Sequence, residues 1–577
     1  MQSIERVRGG IVLAHALKLK GIPVVFTLSG GFLNPVLEGL MKYEIPTYNT
    51  PHEQVAGHMA DGWTRLTRDL VVCLVGPEGF ANAVPAMTEA FMAKTPVLFI
   101  SCSATIKRRG QGGFKEIEDY RIAERITNYS ALVPSGERIY EFVDKAIDAA
   151  ISGQTGPVHL SIPVDILYSS FELQKKFLER PFRIGKSKRP SIWPAPETLN
   201  QLAASLGKAK RPVIIGGNGV WWSHAEEWLR EFAEKHSIPF YNMPYHQKLM
   251  GAGPAYLGLA DIHLNPPFEE TMQQADLAMV VGCRLDNMLS FGNPPFFPED
   301  LQLITINGSH QEYIENHAAD QRVVGDPGAV FVELGKVLDS ATSENPDWKP
   351  WLNDARSFSD RWVIETEIML SKENTEGGAH PLRLILDVID EVGDDDILSF
   401  DGGDTHFWSE IGLQLRTLQG RNIQKTLFPG PYSLLGVGVS FATVAGLIFS
   451  ENHSVLISGD GAFLSGGLSI DVAFDAMVPL TVVVDNNRSF GSIKQQQKIL
   501  FDNNKTFKTN FRFIQFHDLV KSLGGYGVHV TDQDSIKGYL RKALQSNTIA
   551  CLNVDTRSVI SPLIEGLADR RARSSIE

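Results

Sequence analysis

Residues 455–463 read VLISGDGAF, and residues 482–487 read VVVDNN. Each stretch opens with an apolar, β-branched run of the kind that forms buried parallel strands. The apolar spacing from Leu468 to Met477 predicts a helix between the two strands, and Pro479 would end it. The pattern therefore predicts a strand–helix–strand unit whose strands end at the same edge of a parallel sheet.

Polar residues follow both predicted strands. Asp460 and Asn487 have 26 residues between them and would meet at that edge. Carboxylate and amide oxygens suit Mg²⁺, which usually shares oxygens with a phosphate group. The glycines let the N–H groups of Gly461 and Ala462 approach a diphosphate. A Gly-Asp-Gly turn alone is common, so this interpretation depends on the paired Asn-Asn at this distance.

Composition limits the class of protein. The 577 residues predict about three to four domains. A net charge of −13 argues against a nucleic-acid-binding surface. The cysteines, Cys73, Cys102, Cys283 and Cys551, have no metal-ligand spacing, so reduced thiols in a cytoplasmic protein are expected. The sequence contains no recognisable signal peptide and no apolar run of transmembrane length, so no membrane partner is expected.

Helical and strand-like patterns alternate in three segments, which predicts an α/β fold with three doubly wound parallel-sheet domains. The predicted domains are residues 1–185, 190–340 and 376–556, followed by a tail at residues 557–577. Linkers are predicted at residues 176–200 and, with some helix, at residues 341–375. Glycine-rich turns follow the first predicted strands of the second and third domains, at residues 216–219 and 401–404. A tight turn and a nucleotide loop are both open for residues 216–219.

Further stretches carry a resemblance to a known family. Residues 52–62 read HEQVAGHMADG, residues 76–83 read GPEGFANA, and residues 156–165 read GPVHLSIPVD. Together with the Gly-Asp-Gly and Asn-Asn pair, they resemble the thiamine diphosphate enzymes of the acetolactate synthase group. The resemblance covers essentially the whole chain and implies a pyrimidine-binding, a central and a diphosphate-binding domain. Residues 76–83 contain one residue more than the corresponding loop of that family.

The resemblance implies roles for particular residues. Glu53 would hydrogen-bond the aminopyrimidine N1′ and so promote removal of the C2 proton within the cofactor. Leu435 would be the apolar wedge beneath the two rings, with the Ser433 carbonyl and the Leu435 N–H at the pyrimidine edge. Taken alone, Glu53 would more often stabilise a helix N-terminus, and Leu435 would more often be a core residue. The joint pattern favours the cofactor roles.

The same resemblance implies the diphosphate side of the site. Asp460, Asn487 and the carbonyl of Ser489 would hold Mg²⁺. The other expected cofactor-binding residues are Gly403, Asp404, Gly459, Gly461 and Ala462. In this family the pyrimidine side comes from one subunit and the diphosphate side from another, which implies a homodimer or homotetramer.

The predicted central domain narrows the family. Residues 282–295, GCRLDNMLSFGNPP, resemble a stretch of 2-hydroxyacyl-CoA lyases and oxalyl-CoA decarboxylases, whose central domain holds an adenine nucleotide rather than FAD. An ordinary strand-end loop is the alternative. The resemblance implies ADP as a further ligand, with candidate residues Gly217, Arg284, Asp286 and Asn287.

Other stretches depart from the family pattern and concern the substrate. Phe114-Lys115-Glu116 stands where the family has Phe-Gln or Tyr-Glu, and residues 427–432 and 489–492 also differ. The candidate substrate-binding residues are Gly31, Phe32, Phe114, Lys115 and Arg557. These departures affect the choice of substrate and leave the cofactor prediction intact.

The function expected from these features is carbon–carbon cleavage of a 2-hydroxyacyl-CoA to formyl-CoA and a ketone or aldehyde. An acetolactate synthase-like carboligase of 2-keto acids, an oxalyl-CoA-type decarboxylase and a catalytically silent, nucleotide-binding subunit are the alternatives. The presence of Glu53 argues against the silent subunit.

The basic tail offers a site for the phosphates of CoA. Arg557, Arg570, Arg571 and Arg573 follow the last predicted strand, and arginine suits phosphate through its fixed fork of donors. The tail is therefore a candidate lid over the substrate, with a disordered basic terminus as the alternative.

Overall fold

The computed structural model describes residues 4–174, 191–244, 251, 253–311, 319–340, 346–373, 376–501 and 504–566. The chain forms two compact units. The first comprises Met1–Pro190, Pro429–Ser450 and Gly466–Val478, and the second comprises Ser191–Phe428, Glu451–Ser465 and Pro479–Glu577.

The first unit is built on one six-stranded sheet. Its strands are β1 (Ile4–Arg8), β2 (Val25–Thr27), β3 (Thr47–Asn49), β4 (Val71–Val75), β5 (Val97–Ser103), β6 (Tyr129–Leu132), β7 (Val158–Pro163) and β8 (Ser170–Gln174). Six of them form a parallel sheet in the order β3-β2-β4-β5-β7-β6, and β1 pairs with β8 in a separate antiparallel ribbon.

Helices cover both faces of this sheet. They are Gly9–Leu19, Asn34–Lys42, Glu53–Thr67, Pro77–Met92, Asp119–Ala123, Ile139–Ile151, Val164–Tyr168, Gly438–Ile448 and Asp471–Asp475, with 3₁₀ turns at Gly31–Leu33, Ile106–Arg108, Gly136–Arg138 and Gly467–Ile470. One apolar core includes Leu13, Leu17 and Val36, and the other includes Phe26, Phe80 and Val444. A doubly wound sheet is therefore confirmed for this unit.

Two helices of the first unit approach each other closely at Gly62. A Cβ atom at this position would lie 2.8 Å from Cδ1 of Phe441 and 3.0 Å from Cγ2 of Val444. The Glu53–Thr67 helix can therefore pack against the Gly438–Ile448 helix only because residue 62 has no side chain.

The second unit contains two six-stranded parallel sheets. Its strands are β9 (Pro212–Gly216), β10 (Phe240–Asn242), β11 (Tyr256–Leu259), β12 (Leu277–Val281), β13 (Gln302–Asn307), β14 (Gln321–Val324), β15 (Ile397–Asp401), β16 (Thr426–Leu427), β17 (Ser454–Gly459), β18 (Leu480–Asn486), β19 (Tyr526–Val530) and β20 (Ala550–Asp555). The sheet orders are β11-β10-β9-β12-β13-β14 and β16-β15-β17-β18-β20-β19. The predicted class, three doubly wound parallel sheets, is confirmed.

Helices also flank both of these sheets. They are Pro196–Leu206, Asn218–Trp222, Glu226–His236, Pro266–Met272, Pro327–Ser340, Lys349–Ser371, Pro381–Glu391, Asp404–Leu418, Asp460–Gly466, Gly491–Leu500, Phe516–Ser522 and Ile536–Gln545, with 3₁₀ turns at Asn287–Gly292 and Gln533–Ser535. One continuous apolar core includes residues from both sheets, among them Ile214, Val280, Phe400 and Val483.

Two predicted elements differ from the structure. Where one helix was predicted from Leu468 to Met477, the structure has the end of a 3₁₀ turn, Gly467–Ile470, and the short helix Asp471–Asp475. The preceding helix, Asp460–Gly466, ends at Gly466, where a Cβ would lie 2.3 Å from the Gly436 carbonyl oxygen. The predicted linker at residues 341–375 contains the 23-residue helix Lys349–Ser371. The buried indole N–H groups of Trp348 and Trp351 donate to the carbonyls of Ala209 and Pro212, each at 2.9 Å.

In each sheet the strand order reverses beside the first strand of that sheet, and these points locate the candidate sites. They lie between β2 and β4, between β9 and β12, and between β15 and β17. Crevices outside the carboxyl ends of parallel strands at such points commonly bind ligands. In the third sheet, β15 and β17 lead directly into residues 401–404 and 459–461, the glycine turns singled out from the sequence.

Candidate active site

Glu53 is the first residue of its helix and is only 6% exposed. The preceding residue, His52, caps the helix by accepting the Gln54 N–H on its side chain at 3.2 Å. A carboxylate in the first helical turn is favoured by the helix dipole. Asn82 Nδ2 donates to Glu53 Oε2 at 2.9 Å and so fixes the orientation of the carboxylate.

The Pro77–Met92 helix makes room for Glu53. A Cβ atom at Gly79 would lie 2.6 Å from Glu53 Oε1, so this position requires glycine. Asn82 lies three residues later, on the same face of the helix. The sequence pattern drew attention to residues 76–83 but predicted no role for Asn82. The signal available was its spacing from Gly79 at the start of a helix.

Ser433 and Leu435 lie in the same unit as Glu53. Ser433 has a φ of +56°, in the left-handed region that non-glycine residues seldom adopt. Its N–H donates to the Gly430 carbonyl at 2.8 Å and closes a turn. Leu435 follows this turn and is half-buried, so part of its side chain remains available for contact with a ligand.

Four of the five candidate substrate residues lie close together in the first unit. The rings of Phe32 and Phe114 meet edge to face, with 6.4 Å between their centroids. Lys115 Nζ lies 5.1 Å from the Phe114 centroid and pairs with Glu78, which lowers the pKa of the Glu78 carboxyl. Gly31 precedes Phe32, and its carbonyl accepts from the Tyr168 hydroxyl at 2.6 Å.

The fifth candidate substrate residue, Arg557, lies in the second unit. Its Nη2 pairs with Glu373 Oε2 at 2.7 Å. The segment that follows is packed: Gln495 Nε2 donates to the Ser558 carbonyl at 2.7 Å, and Leu563 is 5% exposed. The other tail arginines, Arg570, Arg571 and Arg573, lie outside the described residues.

Asp460, Asn487 and Ser489 converge in the second unit. Asp460 Oδ1 accepts the Gly461 N–H at 2.7 Å, and its Oδ2 accepts the Ser489 N–H at 3.2 Å. Asn487 Oδ1 accepts the Ser489 N–H at 3.0 Å and its hydroxyl at 2.8 Å. The strand ends thus bring the three residues together as the sequence predicted. Their role as metal ligands stays a prediction.

The burial of the Asp460 carboxylate indicates whether a metal ion fits at this site. Burial, followed by the nearby carboxylate of Asp485, raises the pKa of Asp460 to about 7. Asp485 is itself buried and accepts the Thr405 hydroxyl at 2.7 Å. Buried carboxylates are stabilised by a cation, so this pair of acids fits a bound Mg²⁺. Across the described ranges, no three His, Cys, Asp or Glu side chains form a metal-ligating group. A site here would therefore include the amide and carbonyl oxygens of Asn487 and Ser489.

Asp404 lies at the start of the helix that follows β15. Its Oδ1 accepts the Ser561 hydroxyl at 2.8 Å, whereas its buried Oδ2 has no hydrogen-bond partner among the residues described. Burial raises the pKa of Asp404 to about 7. A Cβ at Gly491 would lie 3.4 Å from Asp404 Oδ2 and 3.0 Å from Asn487 Nδ2, so both side chains border the same corner. Ser561 was not identified from the sequence, since it belongs to the predicted tail.

The glycine turns of the central sheet are explained by close packing. A Cβ at Gly217 would lie 2.2 Å from the Cβ of Cys283, and one at Gly219 would lie 2.7 Å from Cα of Gly282. Two loops therefore touch backbone to backbone at the point where the strand order reverses. A nucleotide contact by Gly217 stays a prediction.

The other nucleotide candidates lie in the loop after β12. Asp286 accepts the Met288 N–H at 3.0 Å and caps a 3₁₀ turn, and burial raises its pKa. Asn287 Nδ2 lies 3.7 Å from the sulfur of Met288. Arg284 is half-buried in the same loop. Their proposed contacts with ADP stay untested predictions.

Three family models match the chain. The N-terminal TPP binding domain of thiamine pyrophosphate enzymes matches residues 7–122, the central domain matches residues 199–334, and the C-terminal TPP binding domain matches residues 402–554. Together they cover well over half of the sequence, and each contains one of the six-stranded sheets or most of it.

Individual relatives are similar over nearly their whole length. A probable acetolactate synthase of Mycobacterium bovis is 28% identical over 574 residues, which is 98% of each chain. A probable acetolactate synthase large subunit of Methanocaldococcus jannaschii is 25% identical and covers 95% of this chain and 91% of its own. The 2-hydroxyacyl-CoA lyase 2 of Bos taurus is 25% identical and covers 93% of this chain and 88% of its own. Within the described residues, no helix is long and apolar enough to cross a membrane.

Proposed function

Since this chain belongs to the thiamine pyrophosphate enzyme family, we propose that it is a Mg²⁺-dependent carbon–carbon lyase that cleaves a 2-hydroxyacyl-CoA. The products are formyl-CoA and a ketone or aldehyde. Similarity to 2-hydroxyacyl-CoA lyase 2 over most of both chains supports this proposal.

The proposed reaction breaks the bond between the hydroxyl-bearing carbon and the thioester carbon. The hydroxyl loses its proton and becomes the new carbonyl, and the thioester carbon gains a proton as formyl-CoA. Bound thiamine diphosphate supplies the carbon nucleophile that such a cleavage requires. Glu53 would hold a proton at the edge of the pyrimidine ring, while Asn82 orients the carboxylate through Oε2.

The observation that favours a large substrate is a group of exposed aromatic side chains, Phe114 and Tyr168, close to the ammonium group of Lys115. We call this group the aromatic rim. Phe114 exposes 75% of its surface and Tyr168 exposes 46%. Lys115 lies over the Phe114 ring, where its ammonium group could reach a substrate phosphate. An apolar rim of this kind suits the acyl chain and pantetheine arm of a CoA thioester better than a small 2-keto acid.

A second function, an acetolactate synthase-like carboligase of 2-keto acids, is favoured by a different observation. The relatives named as acetolactate synthases include one that is 28% identical over 98% of both chains. In that case the aromatic rim would have no role in substrate binding.

A direct comparison of substrates separates the two functions. The purified protein, loaded with thiamine diphosphate and Mg²⁺, is given either a 2-hydroxyacyl-CoA or pyruvate. We expect formyl-CoA and aldehyde from the thioester and little acetolactate from pyruvate. The Glu53→Gln variant should lose about 10²–10⁴-fold in turnover, the range typical of general acid–base catalysis. Efficient acetolactate formation without thioester cleavage would establish the carboligase instead.

Lys115 provides a sharper test of the substrate class. Lys115→Gln restores the residue usual in the family and should raise KM for the CoA substrate about tenfold, through loss of a charge-assisted contact. Lys107→Gln is the matched control, because Lys107 is another exposed lysine in the same connecting segment. Equal KM values for the two variants would remove the support that Lys115 gives to a CoA substrate.

A further inference from the structure

A buried ionic cluster lies on the Glu53–Thr67 helix and the helix beside it. Arg65 donates from Nε and Nη2 to the two oxygens of Asp61, at 2.8 and 2.6 Å. The same Nη2 lies 3.3 Å from Glu89 Oε1. Neither the Asp61 nor the Glu89 side chain exposes any surface to solvent.

Glu89 also contacts a distant part of the chain within the same unit. Its Oε1 accepts the Gly430 N–H, and its Oε2 accepts the Leu434 N–H at 3.3 Å. These two amides lie at the two ends of the turn that the Ser433 N–H closes onto the Gly430 carbonyl. One carboxylate therefore bridges both ends of the turn.

The charge balance of the cluster explains why the turn is attached there. Asp61 and Glu89 present two carboxylates to the single guanidinium of Arg65, which leaves an excess negative charge in a buried place. Burial raises the pKa of Glu89, while Arg65 and the two amides lower it. The Gly430 and Leu434 N–H groups supply the remaining hydrogen bonds that a buried carboxylate needs.

The turn itself needs an external support. Ser433 adopts a left-handed backbone conformation, which is strained in a non-glycine residue. Gly430 cannot carry a side chain, because a Cβ there would lie 2.6 Å from Glu89 Oε1. Without Glu89, no other contact described here bridges the amides at its two ends.

We propose that Glu89 is a positioning residue, which holds the turn at residues 430–434 and thereby places the Ser433 carbonyl and the Leu435 side chain for the cofactor. This inference rests on the proposed function, since that function assigns Ser433 and Leu435 to the pyrimidine edge and the wedge. Glu89 acts through the turn and does not itself contact the cofactor.

Hydrogen–deuterium exchange of the cofactor-free protein tests the contact directly. Glu89→Gln keeps the size of the side chain but removes its charge and replaces one of the two oxygens that accept the Gly430 and Leu434 N–H groups. In the peptide spanning residues 429–435, exchange should become about tenfold faster, as expected for the loss of one hydrogen bond to a charged group. Asp61→Asn is the matched control: it removes the other buried carboxylate of the cluster and should leave exchange in this peptide unchanged. Unchanged exchange in Glu89→Gln would overturn the proposal.

Cofactor affinity is the second readout. Titration calorimetry should show affinity for thiamine diphosphate falling about tenfold in Glu89→Gln, with partial recovery in Glu89→Asp, whereas Asp61→Asn lowers the melting temperature only. Equal affinity in the wild type and Glu89→Gln would overturn the positioning role. If the wild type binds no thiamine diphosphate, the proposed function fails, whereas the exchange result still decides whether Glu89 holds the turn.

Should Glu89→Gln not fold, Gly430→Ala disturbs the same contact from the other side and must also accelerate exchange.

Discussion

Asp460 is a residue whose environment suits a bound cation better than an empty site. Because burial raises its pKa to about 7, an ionised Asp460 lowers the stability of the folded, cofactor-free protein at pH 8 relative to the unfolded chain. Asp460→Asn removes that charge and keeps the shape. We expect the cofactor-free variant to melt no lower than the wild type, and its affinity for thiamine diphosphate and Mg²⁺ to fall at least about tenfold.

Calorimetric melting in chelator and titration with the cofactor measure the two effects separately. Asp532→Asn, a change at an exposed carboxylate, should alter neither. If Asp460→Asn melted at a much lower temperature than the wild type, with or without chelator, Asp460 would have a structural role and no role in binding Mg²⁺.

Buried histidines predict how stability depends on pH. Burial lowers the pKa of His58 and of His159 to about 3, so both are neutral in the folded protein at pH 5. In the unfolded chain they bind protons below about pH 6.5. At these two residues the unfolded state therefore binds more protons in this window, so each histidine should lower the free energy of unfolding by about 1.4 kcal/mol per pH unit as pH decreases from about 6.5. Asp404 and Asp460, whose pKa values are raised to about 7, contribute in the opposite direction and are the same in the variants compared.

Denaturation curves at pH 7 and pH 5 measure this slope. His159→Asn should lose about one histidine's share of it. His453→Asn is the control, since that side chain is exposed, and it should keep the wild-type slope. An unchanged slope in His159→Asn would show that His159 is protonated in the folded state.

At the residue scale, the sequence predicted contacts that follow from strand order and missed those that depend on packing. Asp460 and Asn487 converge at Ser489 because parallel strands end at one edge. The contacts of Asn82 and Glu89 join segments far apart in the sequence, at separations that no local pattern encodes. The roles of all these residues in binding await the experiments above.

At the scale of elements, the packing of two helices at Gly62 is the most sharply defined contact. Gly62→Ala forces a methyl group to within 2.8 Å of Phe441 and should destabilise the protein by about 1–3 kcal/mol. Gly538→Ala is the matched control, because a Cβ at that helical position meets no atom within 4 Å. It should stabilise the protein by about 0.5–1 kcal/mol. Thermal unfolding of both variants tests the pair, and equal effects would contradict the close approach.

Elements were predicted well where apolar periodicity dominates and poorly where glycine or polar spacing intervenes. Strands β17 and β18 overlap the runs that the sequence indicated and begin one and two residues earlier. The helix expected at residues 468–477 is instead part of a 3₁₀ turn followed by the short helix Asp471–Asp475. Some helix was expected at residues 341–375, but the polar composition did not indicate its length. The burial of Trp348 and Trp351 depends on tertiary contacts.

For the whole molecule, the first and third sheets share one strand order and the central sheet has another. When the strands of each sheet are numbered along the chain, the first and third sheets have the order 2-1-3-4-6-5, whereas the second sheet has the order 3-2-1-4-5-6. The central order is that of dinucleotide-binding folds, which is compatible with the proposed ADP site. Alternating helix and strand predicted the class, but strand order depends on long-range pairing that the sequence pattern does not encode.

We propose that the protein works as a homo-oligomer whose cofactor site takes Glu53 from one subunit and Asp460 from its partner. Glu53→Gln and Asp460→Asn should each have little activity alone. When the two are unfolded, mixed and refolded together, activity should return, because each mixed dimer would contain one intact site. Mixing each variant with itself is the control. No recovery in confirmed mixed dimers would mean that one chain supplies both residues.

The first unit is assembled from separate segments of the chain, and this has a consequence for biosynthesis. Residues 429–450 and 466–478 complete this unit, although residues 191–428 separate them from the rest of it. At ordinary rates of translation, a ribosome would need about 10 to 50 seconds to make the intervening stretch. During that time the face that Phe441 and Val444 later cover remains apolar and open on the nascent chain. A fragment ending at residue 190 should therefore aggregate or bind chaperones, and the nascent chain should depend on them until residue 478 has been made.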